Sequence, residues 1–241
     1  MDRPFRGSAA VRDGLLSKDQ LRTSAWRRLF RDVYVADGVD VTHALRCGAA
    51  ALILPPAAVI SGYSAACLHG AGLIESSAPV EVTLGRDVRS RAGITVRRSE
   101  LQASDIVVLN GLRVTSPVRT AFDLARQLDL VGAVVAVDAL LTLGCVAIGD
   151  VAGYAAGRHS WFGARRVHQV LTLAVPGAES PMETRLRLVL VRAGLPVPAL
   201  QHRVRDERGF VLARLDLAYV SDRAAGPHGR PGGRGTLRVQ R

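Results

Sequence analysis

The run Gly177–Tyr219, GAESPMETRLRLVLVRAGLPVPALQHRVRDERGFVLARLDLAY, reads as a helix followed by a hairpin. Ser180 is suited to cap a helix, Pro181 to occupy its first position, and Glu183 to reach back toward the open N–H groups. Leu186, Leu190 and Ala193 recur at helical spacing, and Gly194 and Pro196 end the helix. Two strand-like runs follow, Leu200–Asp206 and Phe210–Tyr219, joined across Glu207-Arg208-Gly209. In the second run Val211, Ala213, Leu215, Leu217 and Tyr219 share one face, and Asp216 lies on the other with Arg214 and Leu212. An acid between two leucines in mid-strand is costly unless it is paired or exposed. Arg214, two residues away on the same face, is a partner for it.

These residues resemble the Vsr-like branch of the restriction-endonuclease fold, as found in DUF559-type proteins. The resemblance implies a helix acid at Glu183 or Glu179, a strand acid at Asp216, and a magnesium site completed by a third acid on a further strand. That third element is missing, because the sequence after Asp222 contains no carboxylate. Phosphodiester hydrolysis needs several hard oxygen ligands around the ion. The expectation is therefore a truncated endonuclease-like domain with Glu183 and Asp216 as relics of catalysis and metal binding. Magnesium is a cofactor only if that site still works, and helix capping alone also accounts for Glu183. Residues 223–241 are dominated by Arg, Gly and Pro, which predicts a disordered tail, with a frameshift or a truncation relative to intact relatives as the alternatives for its origin.

The 241 residues suffice for one large or two small domains with a real core. Apolar residues make up 48%, which excludes a chain disordered throughout, and the net charge of +11 points to an acidic partner, nucleic acid first. Lys18 is the sole lysine, so the cationic surface is almost all arginine, which also fits a GC-rich coding bias. Cys47, Cys67 and Cys145 are odd in number and far apart, which fits neither a disulfide framework nor a zinc site. Pro55-Pro56 and Ser61-Gly62 interrupt the uncharged stretch 47–68 before it reaches the roughly 20 residues of a membrane span. No signal peptide is visible, and the expected location is the cytoplasm.

Residues 1–9 read as a loose leader. Ser17 and Gln20 form a capping-box pattern for a short helix starting near Lys18, and 26–35 reads as an Arg-rich strand. A short helix before a basic strand resembles the end of a winged helix-turn-helix. That resemblance implies Arg22, Arg27, Arg28 and Arg31 on DNA phosphates. A solvated basic face is the alternative. Helices are expected over 41–54, from Ser61, over 117–128, 131–143, 149–156 and 161–174. Strands are expected at 80–84, 94–98, 105–109 and 112–115, with Asn110-Gly111 as a type I′ turn. Arg86, Arg89 and Arg91 form a basic loop that suits either a phosphate backbone or solvent. His69 suits a hydrogen bond to a free carbonyl at a helix end. Asp123 reads as exposed or salt-bridged, and Asp138 as reaching the surface or an arginine.

WRRLFRDVYVADG (26–38), AVISGYSAACLHG (58–70) and LRVTSPVRTAFDLAR (112–126) resemble the AbiEi family of type IV antitoxins over about residues 10–175. The reading is a mixed α+β chain in four parts. They are a winged-helix-like segment (1–40), an AbiEi-like α/β domain (41–175), a partial endonuclease-like domain (177–220) and a tail (221–241). The expected function is DNA binding in an antitoxin-like or regulatory role, with DNA and a cognate toxin as partners and no membrane. The alternatives are a residual Mg²⁺-dependent endonuclease and a nonfunctional remnant.

Overall fold

The computed structural model describes residues 3–85, 90–206 and 208–220. They form a mixed α+β architecture in two units, divided between Pro196 and Val197. The expected disordered tail, from residue 221, lies outside the described residues.

The stretch expected to be a loose leader instead carries a short strand, β1 (Phe5–Arg6), and a helix, α1 (Gly7–Arg12). One turn of 3-10 helix, Gln20–Arg22, follows, with Ser17 and Gln20 exchanging the expected capping-box bonds at 2.7 and 3.1 Å. The basic run expected as one strand is a hairpin, β2 (Trp26–Phe30) and β3 (Val33–Ala36), turning at Arg31-Asp32. The three strands pair in the order β1-β3-β2. Phe5 packs edge-on to Trp26 and stacks on Tyr34, with centroids 5.1 and 6.2 Å apart.

Asp32 makes that hairpin possible. It turns the chain at φ 63°, a left-handed conformation unusual for a residue with a Cβ. Its carboxylate accepts the Ser8 backbone N–H at 2.7 Å, the Ser8 hydroxyl at 2.5 Å and Arg6 Nε at 3.2 Å. The turn thus fastens the start of α1 from across the small sheet.

A five-stranded mixed sheet comes next, in the order β6-β5-β4-β8-β7. Its strands are β4 (Val59–Ile60), β5 (Val80–Leu84), β6 (Ile94–Arg98), β7 (Ile106–Leu109) and β8 (Leu112–Thr115). The two-residue β4 has no sequence signal, yet it bridges β5 and β8. Asn110 and Gly111 hold φ 50° and 79°, the two positive angles that a type I′ turn demands. Helices α2 (His43–Ala51) and α3 (Gly62–Leu68) close one apolar core with this sheet, around Val33, Cys47, Ile60, Val82 and Val114.

A second core is helical. It is built by α4 (Pro117–Gln127), α5 (Leu130–Thr142), α6 (Ile148–Ala156) and α7 (Ala164–Leu173) around Phe122, Val137, Leu140 and Val167. Full burial of a side chain such as Phe122 or Leu140 contributes about 2–3 kcal/mol. Ser116 caps α4 through the Arg119 N–H at 3.3 Å, and Asp129 caps α5 through the Gly132 N–H at 3.0 Å. Helix α8 (Pro181–Arg192) belongs to the same unit, because Leu188 enters this core and Arg187 and Thr184 bond to Asp138 of α5. The sequence places its principal boundary earlier, at Pro176-Gly177.

The second unit is the hairpin β9 (Ala199–Arg205) and β10 (Val211–Ala218), with Leu217 opposite Leu200 and Leu215 opposite His202. Asp206 organises its turn, its carboxylate accepting the N–H groups of Arg208 and Phe210 at 3.0 and 2.8 Å.

Candidate nucleic-acid interface

Four of the seven arginines assigned to nucleic acid sit on the N-terminal sheet unit, and all four are exposed. Arg22 ends the 3-10 turn beside Asp19, at 3.3 Å. Arg27 and Arg28 are consecutive on β2, and Arg27 donates to the Val39 carbonyl at 2.7 Å. Arg31 is at the hairpin turn. A bulge after Arg28 gives β2 one extra residue, which puts Phe30 opposite the buried Val33. Alternation therefore breaks within the strand, and that break hid the hairpin from a period-two reading.

Arg91 is exposed and bridges to Ile94 ahead of β6. Its loop reaches the N-terminal unit. The open face of Gly93 lies against the Phe30 ring and the Arg46 guanidinium, and Arg46 sits 5.1 Å from the Phe30 centroid. The strand-entry loop that holds Arg91 thereby meets Phe30 and Arg46. Arg86 and Arg89 lie outside the described residues. A cleft of about 470 Å³ between α1, the 3-10 turn and the hairpin is lined by Val11, Arg12, Lys18, Leu21, Arg22 and Tyr34 among others. Arginines and a lysine around an apolar floor suit a polyanion whose sugar or base edges contribute apolar surface.

The two acids assigned to metal chemistry fall in different units. Glu183 is nearly buried, and its carboxylate accepts the Glu179 N–H at 2.9 Å, while Ser180 Oγ accepts the Glu183 N–H at 3.3 Å. That is capping of α8. Asp216 is exposed on β10. Among the described residues, no three His, Cys, Asp or Glu side chains gather into a group that could hold a metal ion.

Asp123 is salt-bridged, one of the two expectations for it, but the buried polar centre around it escaped the sequence reading. Arg119 is fully buried on α4. It donates to Asp123 at 2.7 Å, Asp105 at 2.8 Å, the Ser99 hydroxyl at 2.8 Å and the Glu100 carbonyl at 2.9 Å. Asp123 also binds Arg126 at 2.8 Å, and Asp105 accepts the Tyr154 hydroxyl at 2.7 Å. Burial, then the bond to Asp105, pushes the Tyr154 phenol up to about 12. The Trp161 ring closes the cluster, with Arg119, Arg126 and Arg158 at 5.0, 5.4 and 5.7 Å from its centroid. The recurrence Arg119-x3-Asp123-x2-Arg126 on an otherwise apolar stripe was the available signal. This cluster clamps β7, α4, α6 and the loop before α7 together, and every charge in it but that of Arg158 is neutralised internally. His69, expected to bond a free carbonyl at its own helix end, instead has Nε2 2.8 Å from the Thr115 carbonyl oxygen on β8.

No helix among the described residues is long and apolar enough to cross a membrane. Two relatives of Mycobacterium tuberculosis are similar to the chain, uncharacterized protein MT2308 of strain CDC 1551 / Oshkosh and uncharacterized protein Rv2248 of strain ATCC 25618 / H37Rv. Each is 27% identical over 212 residues, spanning 86% of this chain and 74% of the relative. No solved structure matches. The family model described as AbiEi antitoxin C-terminal domain matches residues 50–173, just over half of the 241 and nearly all of both cores. With that match, on the fold just described, the chain belongs to the AbiEi antitoxin family, and the finding supports a role related to toxin–antitoxin systems.

Proposed function

We propose that the protein is a DNA-binding antitoxin-like regulator that grips the duplex through the arginines of its N-terminal unit. The observation that carries this reading is the β1-α1-turn-β2-β3 order with sheet order β1-β3-β2, bearing exposed Arg22, Arg27, Arg28 and Arg31. That strand order supports a winged-helix-like reading, with the β2–β3 hairpin as the wing. The net charge and the Arg91 loop against Phe30 support a second set of phosphate contacts. A cognate toxin is the partner that the family suggests. Residues 177–220 are, in this reading, the remainder of an endonuclease-like domain, supported by the helix–hairpin order that carries Glu183 and Asp216.

The test is fluorescence anisotropy with labelled DNA from upstream of the protein's own gene. Arg27→Ala with Arg28→Ala weakens binding about tenfold and lowers the salt slope by about two. Unchanged affinity in that double variant overturns the reading. A parallel plasmid assay with Mg²⁺ addresses cleavage, and nicking lost in Asp216→Asn would make the protein an endonuclease instead.

A further inference from the structure

From Val151 to Ala178 the chain contains no carboxylate, but it holds Arg158, Arg165, Arg166, His159 and His168. In the middle stands Phe162, which is 88% exposed, the most exposed of the large apolar residues in the described structure. Exposure of that kind is unremarkable on a loose loop, but this loop is fastened. The Phe162 carbonyl accepts Arg126 Nη1 at 3.1 Å. Next to it Gly163 holds φ 77° and lies so close to α4 that a Cβ would come within 2.2 Å of the Arg126 carbonyl oxygen. Trp161 is packed edge-on to Phe122 at 6.0 Å. The backbone on both sides of Phe162 is thus fixed, and its ring projects outward.

Arg158 stands on the same loop, beside a polar cleft of about 300 Å³ lined by Glu100, Gln102, Asp105, Gly157 and Trp161. Its guanidinium lies 3.6 Å from the Tyr154 ring centroid and donates to Gln102 Oε1 and the Tyr154 carbonyl, each at 3.2 Å. It meets no carboxylate among the described residues, so donors remain for an incoming acid.

We infer that the Gly157–Arg166 loop is a docking surface for an acidic protein partner, with Phe162 as its apolar anchor and Arg158 and Arg165 as the cationic rim. A rigid aromatic at the centre of a charged rim is the arrangement that concentrates binding energy at protein interfaces. Single-stranded nucleic acid is the less favoured occupant. Base stacking along a strand needs several open aromatic faces in succession, and here the neighbouring Trp161 and Tyr154 rings are already packed against Phe122 and the guanidinium groups of Arg119, Arg126 and Arg158. The surface lies on elements other than those carrying Arg22, Arg27, Arg28 and Arg31, so it is independent of DNA binding by them.

The test places a photo-crosslinking phenylalanine analogue at position 162 of the full chain in its native cells, with the exposed Val108 as the control position. The crosslinked protein is identified, purified and titrated calorimetrically against the unmodified chain. The expected result is a protein with more Asp and Glu than Lys and Arg. Its affinity falls about thirtyfold with Phe162→Ala and about fivefold with Arg165→Glu, and weakens with added salt. Both side chains are exposed, so the variants keep the fold. The inference is overturned by no protein crosslink above the Val108 control, by a crosslink to nucleic acid, or by equal affinity in Phe162→Ala. Anisotropy on upstream DNA is unchanged in Phe162→Ala, which keeps this result separate from the DNA-binding reading.

Discussion

Arg187 of α8 donates to Asp138 of α5 at 2.6 Å, with both side chains 1% exposed. Asp138 also accepts the Thr184 hydroxyl and the Val175 N–H, each at 2.8 Å. The last helix is thereby locked to the helical core by a charge pair that neither partner can leave cheaply.

Removing one member of that pair strands the other in an apolar interior. Asp138→Asn is therefore expected to lower stability by about 3–5 kcal/mol in urea unfolding, and Arg187→Met by a similar amount. The joint replacement costs less than the sum, as a double-mutant cycle would show. Burial, outweighing the bonds from Val175, Arg187 and Thr184, raises the Asp138 carboxyl above its usual value. The folded state then holds this proton more readily than the unfolded one, so the group's contribution falls as pH rises through that window and recovers on acidification. Asp138→Asn removes this trend from the stability–pH curve.

Arg119 reaches five partners with one planar fork, the Tyr154 hydroxyl at 3.4 Å among them, which an ammonium cannot reproduce. Arg119→Lys should cost about 3 kcal/mol, measured by thermal or urea unfolding. Tyr154→Phe, which leaves Asp105 its bonds to Arg119 and the Gln102 N–H, should cost about 1–2 kcal/mol. The ultraviolet difference between wild type and Tyr154→Phe should show one phenol titrating near 12.

Asp32 works in the opposite sense. Its burial raises the carboxyl, but Ser8 and Arg6 outweigh that and hold it below 3.8, the ordinary value. Its stabilisation is complete above that value and is lost as pH falls through the lower folded value. Asp32→Ala should cost about 1 kcal/mol or more, since it loses the cap and keeps the strained φ. Asp32→Gly, which relieves the backbone, should cost less. Chemical unfolding at neutral pH and in acid well below 3.8 separates the two effects.

Burial pushes the Cys47 thiol up to about 12, whereas Cys67 and Cys145 are only half-buried. A thiol reagent at mildly alkaline pH should label Cys47 only after unfolding. Native-state labelling that persists in Cys67→Ser with Cys145→Ser would contradict the packing of α2 against the sheet.

Much of the fold was legible where the signal is local. Ser116-Pro117, Ser180-Pro181 and Asn110-Gly111 each act within four residues, and each does what its chemistry dictates. The misses are long-range. Nothing near Asp32 announces a turn, because what stabilises its left-handed conformation is Ser8, 24 residues earlier. Strand β4 is two residues long and exists only because β5 and β8 flank it. Arg119 looks like any helical arginine until Asp105 arrives from 14 residues away. The basic N-terminal side chains were visible as charge, but the approach of the Arg91 loop to Phe30 depends on Gly93, which nothing local announces.

The scarcity of lysine has a practical side. Lys18 lines the cleft between α1 and the hairpin, beside Arg12 and Arg22. Amine-directed chemistry therefore finds one side chain in the whole polypeptide, and it stands among the groups assigned to grip DNA. A fluorophore attached there is a built-in test of the proposed grip, since its emission should change on adding duplex DNA only if that cleft is occupied, without any engineered cysteine.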